Sequence, residues 1–516
     1  MQYGDEPMPA LRDLVQRSLS EDAIPVYLDR VEDQAATLRE AIRAGELDNE
    51  DFSVGLEMEV YAVERDGESR LTDLPQSVFD AGATKELGVH NAEINTDPDV
   101  FDEAGLRSQA DRIEAAFEAA DDAARESERL LISDAMWTIS PEESADSYLS
   151  DVEIEDGVTV ATNMRTDPRY AAIDNDVLRE FDGEIRLDVP GVDRRFPSIL
   201  FESLATSIQP HLQIPTAEQF PAYYNAAIRT LGPLLALTTN SPFLPPELYT
   251  DVEDPHDLVD QTHHELRIAV FEQSVNATLN PKVRVPEDID SAEETIDRVV
   301  EDELIAPFLR EWIDDEPRDS LAADTWEFQY KRSTYWRWLR CVIGGDPVDG
   351  AGDEESLRIE YRPIPTQPTV IDVVAVQWLT VGLLRGLVTT DHPLPQLPWT
   401  EAETSFYNAA RDGLDADLAW LTSDGERTSD SAVIFEEVFE LARAGLRDAG
   451  VSTAAIDSYL DGLETRWTER TTPSIWKQNR VRDRLQDGDD LATAITAAQE
   501  SYIQHSREYD SFAEWL

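Results

Sequence analysis

Four stretches of the chain alternate apolar residues with side chains that handle metals or phosphates. In residues 52–63, Val54, Leu56, Met58 and Val60 alternate with Glu57, Glu59 and Tyr61, and the period of two in a strand sends both carboxylates to one side. Residues 90–97 set Glu93 and Asn95 opposite Ala92 and Ile94. Residues 207–215 set Gln209, His211 and Gln213 against Ile208, Leu212 and Ile214, and residues 357–362 set Arg358, Glu360 and Arg362 against Leu357, Ile359 and Tyr361. Such carboxylates, with one imidazole among them, suit Mg²⁺ or Mn²⁺, hard ions that take oxygen ligands and share them with nucleotide phosphates. Guanidiniums beside them suit forked recognition of phosphate or carboxylate and stabilise a phosphoryl group in transfer. The chemistry implied is metal-dependent phosphoryl transfer. With neither a Walker loop nor a dinucleotide fingerprint, the nucleotide has to lie on the sheet itself.

A Glu-x-Glu pair alone carries little weight in so acidic a chain, where roughly 20 pairs at that spacing arise by chance. The setting of Glu57 and Glu59 gives them theirs. A charged face on an apolar strand costs burial energy unless a partner or a metal offsets it.

The elements that position these faces read as an α+β chain with a helical end. Residues 1–48 form an N-terminal helical segment, two amphipathic helices broken near Pro25 and ended by Gly45, bracing the first strand. Residues 49–394 form the catalytic core, with helices over 105–131 and 217–238. In it Thr369 and Asp372 make a capping box ahead of a long apolar helix. The polar stretch 140–197, with turn signals at Asp156-Gly157 and Pro190-Gly191, is expected to supply loops over the site, and a second loop-rich stretch spans 346–355. Three prolines in residues 392–398 mark a linker, after which residues 395–516 form a helical region.

Composition narrows the function. The net charge of −64 comes from 107 acidic against 43 basic residues, and only Lys85, Lys282, Lys331 and Lys477 are lysines. Such a surface repels nucleic acid and anionic membrane. Acid spread evenly along the chain, with arginine in place of lysine, points to a halophilic protein of a high-salt cytoplasm, where screening over a few Å makes dense like charge tolerable. The start of the chain lacks a basic and apolar signal segment, and the apolar window 370–388 carries Asp372, Gln377 and Arg385, so it reads as a core helix. A soluble, cytoplasmic protein is expected. The lone Cys341 excludes an intrachain disulfide and any multi-cysteine metal centre, and its apolar neighbours assign it to packing.

The same residues carry a family resemblance. Phe52-Ser-Val-Gly-Leu-Glu-Met-Glu59, Ala92-Glu-Ile-Asn-Thr-Asp-Pro98, Arg169-Tyr170, Ser207-Ile-Gln-Pro-His-Leu-Gln-Ile214, Asn240-Ser-Pro-Phe243 and Ile359-Glu-Tyr-Arg362 are similar, in order, to motifs of glutamate-cysteine ligase family 2. These are carboxylate-amine ligases of the glutamine synthetase superfamily. The resemblance implies a curved antiparallel sheet with flanking helices, holding ATP and two or three Mg²⁺ or Mn²⁺ ions. It implies Glu57, Glu59, Glu93, His211 and Glu360 as metal ligands. Arg362, Arg169 and Arg267 match roles that contact phosphate or the substrate carboxylate, with Arg358 and Asn95 as further nucleotide contacts. Arg169-Tyr170 corresponds to a loop of the family. The implied reaction is phosphorylation of a carboxylate, such as the γ-carboxylate of glutamate, followed by attack of an amine such as cysteine on the acyl phosphate. The His strand departs from the pattern, since Gln209 stands where a second histidine is common. Residues 472–480 and Gly488-Asp489 resemble a tail that covers the active site, although a solvated helix face explains Lys477 and Arg480 as well.

Two other readings stay open at this stage, a metal-dependent amide hydrolase using the same carboxylates and a catalytically silent nucleotide-binding family member. Identity of the acceptor amine and the oligomeric state are open too. His263-His264 points its rings apart if extended, which gives it a structural role. The aromatic cluster Tyr335-Trp-Arg-Trp338 is assigned to the core.

Overall fold

The computed structural model describes residues 8–65, 69–250, 252–276, 281–313, 320–344 and 355–516. The alternating stretches pair into a curled, eight-stranded, wholly antiparallel sheet. Its strands are β1 (Ser53–Glu64), β2 (Thr84–Lys85), β3 (Asn91–Asn95), β4 (Asp99–Val100), β5 (Arg129–Ile132), β6 (Ile208–Ile214), β7 (Leu339–Ile343) and β8 (Leu357–Tyr361). The order is β7-β8-β6-β1-β3-β2, with β4 and β5 also pairing with β1.

The N-terminal segment is two helices, α1 (Met8–Ser18) and α2 (Ala23–Ala44). They break at residues 19–22 rather than at Pro25, which sits in the first turn of α2, where its missing N–H is needed least. Gly45 ends α2 at φ 72° and donates back to Ala41 and Ile42. Along the chain follow α3 (Glu103–Arg125), α4 (Pro168–Glu180), α5 (Phe220–Thr238), α6 (Leu266–Val275), α7 (Trp326–Ser333) and α8 (Val370–Thr389). Rather than β1, α2 braces α7 and the helix Ala292–Glu301: Tyr27 donates to the Glu327 carbonyl at 2.9 Å, Gln34 accepts from the Phe328 N–H at 2.8 Å, and Arg39 donates to Asp297 at 2.8 Å.

Helix α3 stops at Arg125, not at 131. Glu128 takes a positive φ of 61°, and the apolar residues beyond it leave the helix to pair with β1 as β5. The polar stretch 140–197 is more ordered than loops. Asp156-Gly157, both at positive φ, turn Val152–Glu155 back on Val158–Ala161, and Pro190-Gly191 turns Ile185–Val189 back on Val192–Phe196. Between these hairpins lies α4. The expected loop at 346–355 falls almost entirely outside the described residues.

One face of the sheet is apolar and is covered by α3, α5 and α8; the other faces α4, α6 and α7 across a cavity. Thr369 caps α8 by accepting from the Asp372 N–H, as its box predicts. Among the described residues α8 is the one helix long and apolar enough to cross a membrane, and 83% of that window is buried within the fold. The C-terminal region contributes α9 (Trp399–Asp412), α10 (Ser431–Asp448), α11 (Thr453–Thr468), α12 (Pro473–Gln486) and α13 (Leu491–Glu508). Residues of α9, α10 and α11 share one apolar core with the sheet and its helices. The proline segment before α9 is held by Arg229, which donates to the Leu397 carbonyl at 2.7 Å.

Helices α8 and α10 cross at backbone contact. Gly382 and Gly386 lie one turn apart on α8, facing Ala442 and Gly445 of α10, and a Cβ on Gly386 or Gly445 would stand 2.0 Å from a carbonyl oxygen of the other helix. Backbone cannot yield as a side chain can, so Gly445→Ala is expected to cost about 1–3 kcal/mol through overpacking. Gly462→Ala on α11, where the nearest atom is Ala513 Cβ at 3.9 Å, should be neutral or slightly stabilising. Thermal unfolding of the two variants beside the parent checks this; equal midpoints for both would contradict the close crossing.

Candidate active site

The register of β1 gathers the chemistry. Glu57 lies opposite Gln209 on β6 and Asn95 on β3, Glu59 lies opposite Glu93, and on the next pair His211 lies opposite Glu360 and Gln213 opposite Arg358. The four alternating stretches therefore present Glu57, Glu59, Glu93, His211, Glu360 and Arg362 on one side, as their periodicity predicts. Above them is a cavity of about 300 Å³.

The cavity is bordered by two electrically opposite clusters, which meet where Gln209 bonds both Glu59 and Arg362. At one, Glu57, Glu59 and Glu93 of the sheet meet Glu86, which follows β2, and Glu202, from the 3-10 turn Ile199–Leu204. Glu59 is anchored by the Ser207 N–H at 2.6 Å and by Gln209 Nε2 at 3.3 Å. Burial and the crowding of like charges push these acids up. Glu86 rises to about 8 from burial and from Glu59 and Glu202; Glu202 rises to about 7 from burial and Glu59; Glu93 rises further, from burial and then Glu57 and Glu86. Glu57 is the exception. Burial works against its charge, but His211, with Nε2 3.4 Å from Oε1, holds the carboxyl below its usual range.

In the other cluster Glu360 accepts from Arg362 Nη1 at 2.6 Å and Arg340 Nη2 at 2.9 Å. Despite burial, Arg340 and then Arg362 hold Glu360 far below the ordinary carboxylate range. Arg362 Nη1 also reaches Gln209 Oε1 at 3.3 Å. Arg169 enters from the side, donating to the Ser333 carbonyl at 3.2 Å. Tyr170, Phe271 and Trp336 supply the aromatic wall.

The remaining expected residues sit apart from this constellation. Arg267 is buried behind the cavity in α6, where its two Nη atoms donate to the carbonyls of Pro363 (3.1 Å) and Arg362 (2.5 Å). It holds the backbone of a site arginine and does not line the cavity. Arg358 and Asn95 lie on the right face but outside the lining; Asn95 is exposed and reaches Thr84 at 3.4 Å. Arg169 and Tyr170 belong to the first turn of α4, not to a loop. Tyr335, Trp336 and Trp338 are all buried in the core, as the sequence reading assigned them, and Trp336 also lines the cavity. Cys341 is buried and its thiol is pushed up to about 12, mainly by burial, which suits its packing role. The stretch 472–480 does not cover the cavity. Lys477 is buried beneath, bonded to Asp134 at 2.5 Å and to the Asn240 carbonyl at 2.9 Å, while Arg480 is exposed over Trp476.

Sequence reasoning missed Glu86, Glu202, Arg332 and Arg340. Arg340 carried a usable signal: it alternates with Leu339, Cys341 and Ile343 in β7. The other three come from a turn and two helices, where no period of two exists to expose them.

The donor set suits a hard divalent cation. Five carboxylates border one end of the cavity, and among the described residues the buried His211 Nε2, 3.4 Å from Glu57, makes no hydrogen bond of good geometry. Among the described residues no three His, Cys, Asp or Glu side chains are already gathered into a ligand cage. Glu360, with both oxygens engaged, reaches an ion only by releasing a guanidinium.

Comparison with known proteins fits this picture. The family model described as glutamate-cysteine ligase family 2 matches residues 53–496. Among solved structures, the glutamate–cysteine ligase of Francisella tularensis in complex with AMP superposes with a TM-score of 0.50 at 12% identity, covering 90% of each chain. A bifunctional glutathione synthetase from Pasteurella multocida gives a TM-score of 0.49 at 15% identity, covering 92% of this chain and 54% of that one. At such identities the first likeness bears on the fold, which is that of the glutamine synthetase-like ligases. No curated protein matches the sequence.

The raised carboxyls set a direction for pH. Glu86 and Glu93 keep protons in the folded protein well above the range where an unfolded chain loses them. Folding is therefore favoured at low pH by these groups, and that contribution is lost as pH rises through about 8 for Glu86. A bound cation displaces those protons. Mg²⁺ affinity, measured by calorimetry at pH 6.5 and 8.5, is expected to rise by up to about tenfold per pH unit for each proton released. Affinity that does not change with pH would refute this account of the carboxylate end.

Proposed function

The chain belongs to glutamate-cysteine ligase family 2 and is a carboxylate-amine ligase, and from that premise we propose that it uses ATP to join glutamate to an amine such as cysteine through an acyl phosphate. The observation that carries this reading is the division of one cavity into a carboxylate end and a guanidinium end on a single sheet face. A Mg²⁺ or Mn²⁺ ion held by Glu57, Glu59, Glu93 and His211, with Glu360 beside them, would supply charge neutralisation for the phosphates of ATP.

The protein's own residues do the rest. Arg362, fixed by Glu360 and by Arg267 behind it, presents its guanidinium to the oxygens of the phosphoryl group in transfer. Arg169 projects from the start of α4 toward the same space and suits the carboxylate of the substrate. Tyr170, Phe271 and Trp336 exclude water from the mixed anhydride, which would otherwise hydrolyse. The carboxylate oxygen attacks the γ-phosphorus as the bond to ADP breaks. The amine nitrogen then attacks the acyl carbon, and phosphate leaves with the bonding pair. No protein nucleophile is needed. Family membership separates this chain from the amide hydrolase alternative.

The decisive experiment follows ADP release in multimolar KCl with ATP, Mg²⁺ and glutamate across a panel of amines that includes cysteine. Amine-dependent release is expected, with Arg362→Lys lowering kcat by about 10²-fold or more, as for loss of a positioned transition-state donor, and Glu360→Gln behaving alike. Absence of ADP with every amine would refute the reading and favour the catalytically silent alternative.

A further inference from the structure

At the guanidinium end of the cavity, arginines outnumber the carboxylate with which they form ion pairs. Three arginines, Arg332, Arg340 and Arg362, line it, and Arg358 stands near them outside the lining. Among the described residues one carboxylate, Glu360, pairs with Arg340 and Arg362, and none pairs with Arg332 or Arg358. Arg332 lines the cavity from the last turn of α7. Its Nε donates to Gln329 Oε1 at 2.8 Å, and no other hydrogen bond holds the guanidinium. Burial, then the nearby Arg340, pushes it down to about 9, a large displacement for an arginine. Arg332 is half-buried at the cavity and feels Glu360 without forming an ion pair with it, and guanidiniums so placed are where a ligand can supply the missing partner.

The elements around Arg332 are built to keep it in place. Glu327, one turn before it on α7, accepts from Arg30 at 2.6 Å and from Gln34 at 2.6 Å on α2. Gln329 is itself tied to the Ile343 carbonyl on β7 at 3.1 Å. The side chain is therefore presented by two helices and a strand end.

We propose that Arg332, together with Arg340, forms an oxyanion subsite at the guanidinium end of the cavity, taking a phosphate or carboxylate group whose charge is not neutralised by the cation at the carboxylate cluster. The assignment rests on the ligase reading for which substrate brings that group, either the polyphosphate of the nucleotide or the carboxylate of an amino-acid substrate. Neither the alternating strands nor the motifs of the resemblance include Arg332.

Binding of inorganic tripolyphosphate and of L-glutamate to the full chain, each measured by calorimetry, separates the two sources. Arg332→Gln is expected to weaken one of them by about 10- to 100-fold, the worth of a charge-assisted hydrogen bond, and Arg332→Lys to recover part of the loss. Weakened tripolyphosphate binding identifies a phosphate subsite; weakened glutamate binding identifies a carboxylate subsite. Since Arg332 has no ion-pair partner to orphan, Arg332→Gln should melt no lower than the parent. Unchanged affinity for both anions, failure of the parent to bind either, or a lower melting temperature with binding intact would each overturn the subsite. Anion binding that responds to Arg332 in a protein releasing no ADP would overturn the ligase reading and leave the subsite standing.

Discussion

The site depends on the register of β1 between β3 and β6. Because successive side chains in a strand alternate faces, a slip of one residue would turn Glu57 and Glu59 into the layer of α5 and α8 and bring Leu56 and Met58 to the cavity. The apolar side of the sheet forbids that slip. Val54, Leu56, Met58 and Val60 are all at most 1% exposed, and burying each such side chain contributes on the order of 1.5–3 kcal/mol. The chemistry of one face is thus positioned by the hydrophobicity of the other, and the close crossing of α8 with α10 fixes the surface against which that hydrophobic face packs.

Within this frame the cavity is held in an electrically unrelaxed state. Glu360 is satisfied twice over, while Arg332 has one hydrogen bond, to Gln329, and no ion pair, and Glu86, Glu93 and Glu202 are raised by burial and by neighbouring carboxylates. Ordinary folding stability would favour moving these charges apart or replacing them. Their persistence around one cavity is the arrangement expected where a cation and an anion complete the charge balance only on binding. Functional groups here cost stability, and the large apolar core offsets that cost.

Much of this was legible from the sequence where a strand carried it. Glu57, Glu59, Glu93, His211, Glu360 and Arg362 were found because alternation with apolar residues has one structural meaning. Arg340 obeys the same rule, but it is the one polar residue in the apolar strand Leu339–Ile343, so no second charged position repeats the period. Glu86, Glu202 and Arg332 had no such pattern, since a turn residue or a polar helical residue in an acidic chain looks like solvent-facing surface. Local turn chemistry was readable at Asp156-Gly157 and Pro190-Gly191; the strand before the first is too exposed and polar to announce itself, with Ile154 70% exposed, whereas Ile185, Leu187 and Val189 before the second are buried in strict alternation, a signal the sequence did carry. The misplaced end of α3 has the opposite cause. Leu130 and Leu131 continue a helical pattern, and only pairing with β1, a long-range interaction, draws them away.

The buried ties between the C-terminal helices and the sheet have a consequence for how the chain can be made. Asp134 and Asp372 are buried, and their cationic partners are Lys477 and Arg466; Asp372 also accepts from the Phe512 N–H at 2.9 Å. During translation at about 5–20 residues per second, β1 emerges roughly 20–90 s before residue 512 exists. Throughout that interval both aspartates lack the groups that make their burial tolerable. Burial of these aspartates is therefore costlier until the C-terminal helices arrive, which couples completion of the sheet's surroundings to the last part of the chain to be made. In so acidic a polypeptide that interval is made safer by its own charge, which keeps the unfinished chains of neighbouring ribosomes apart.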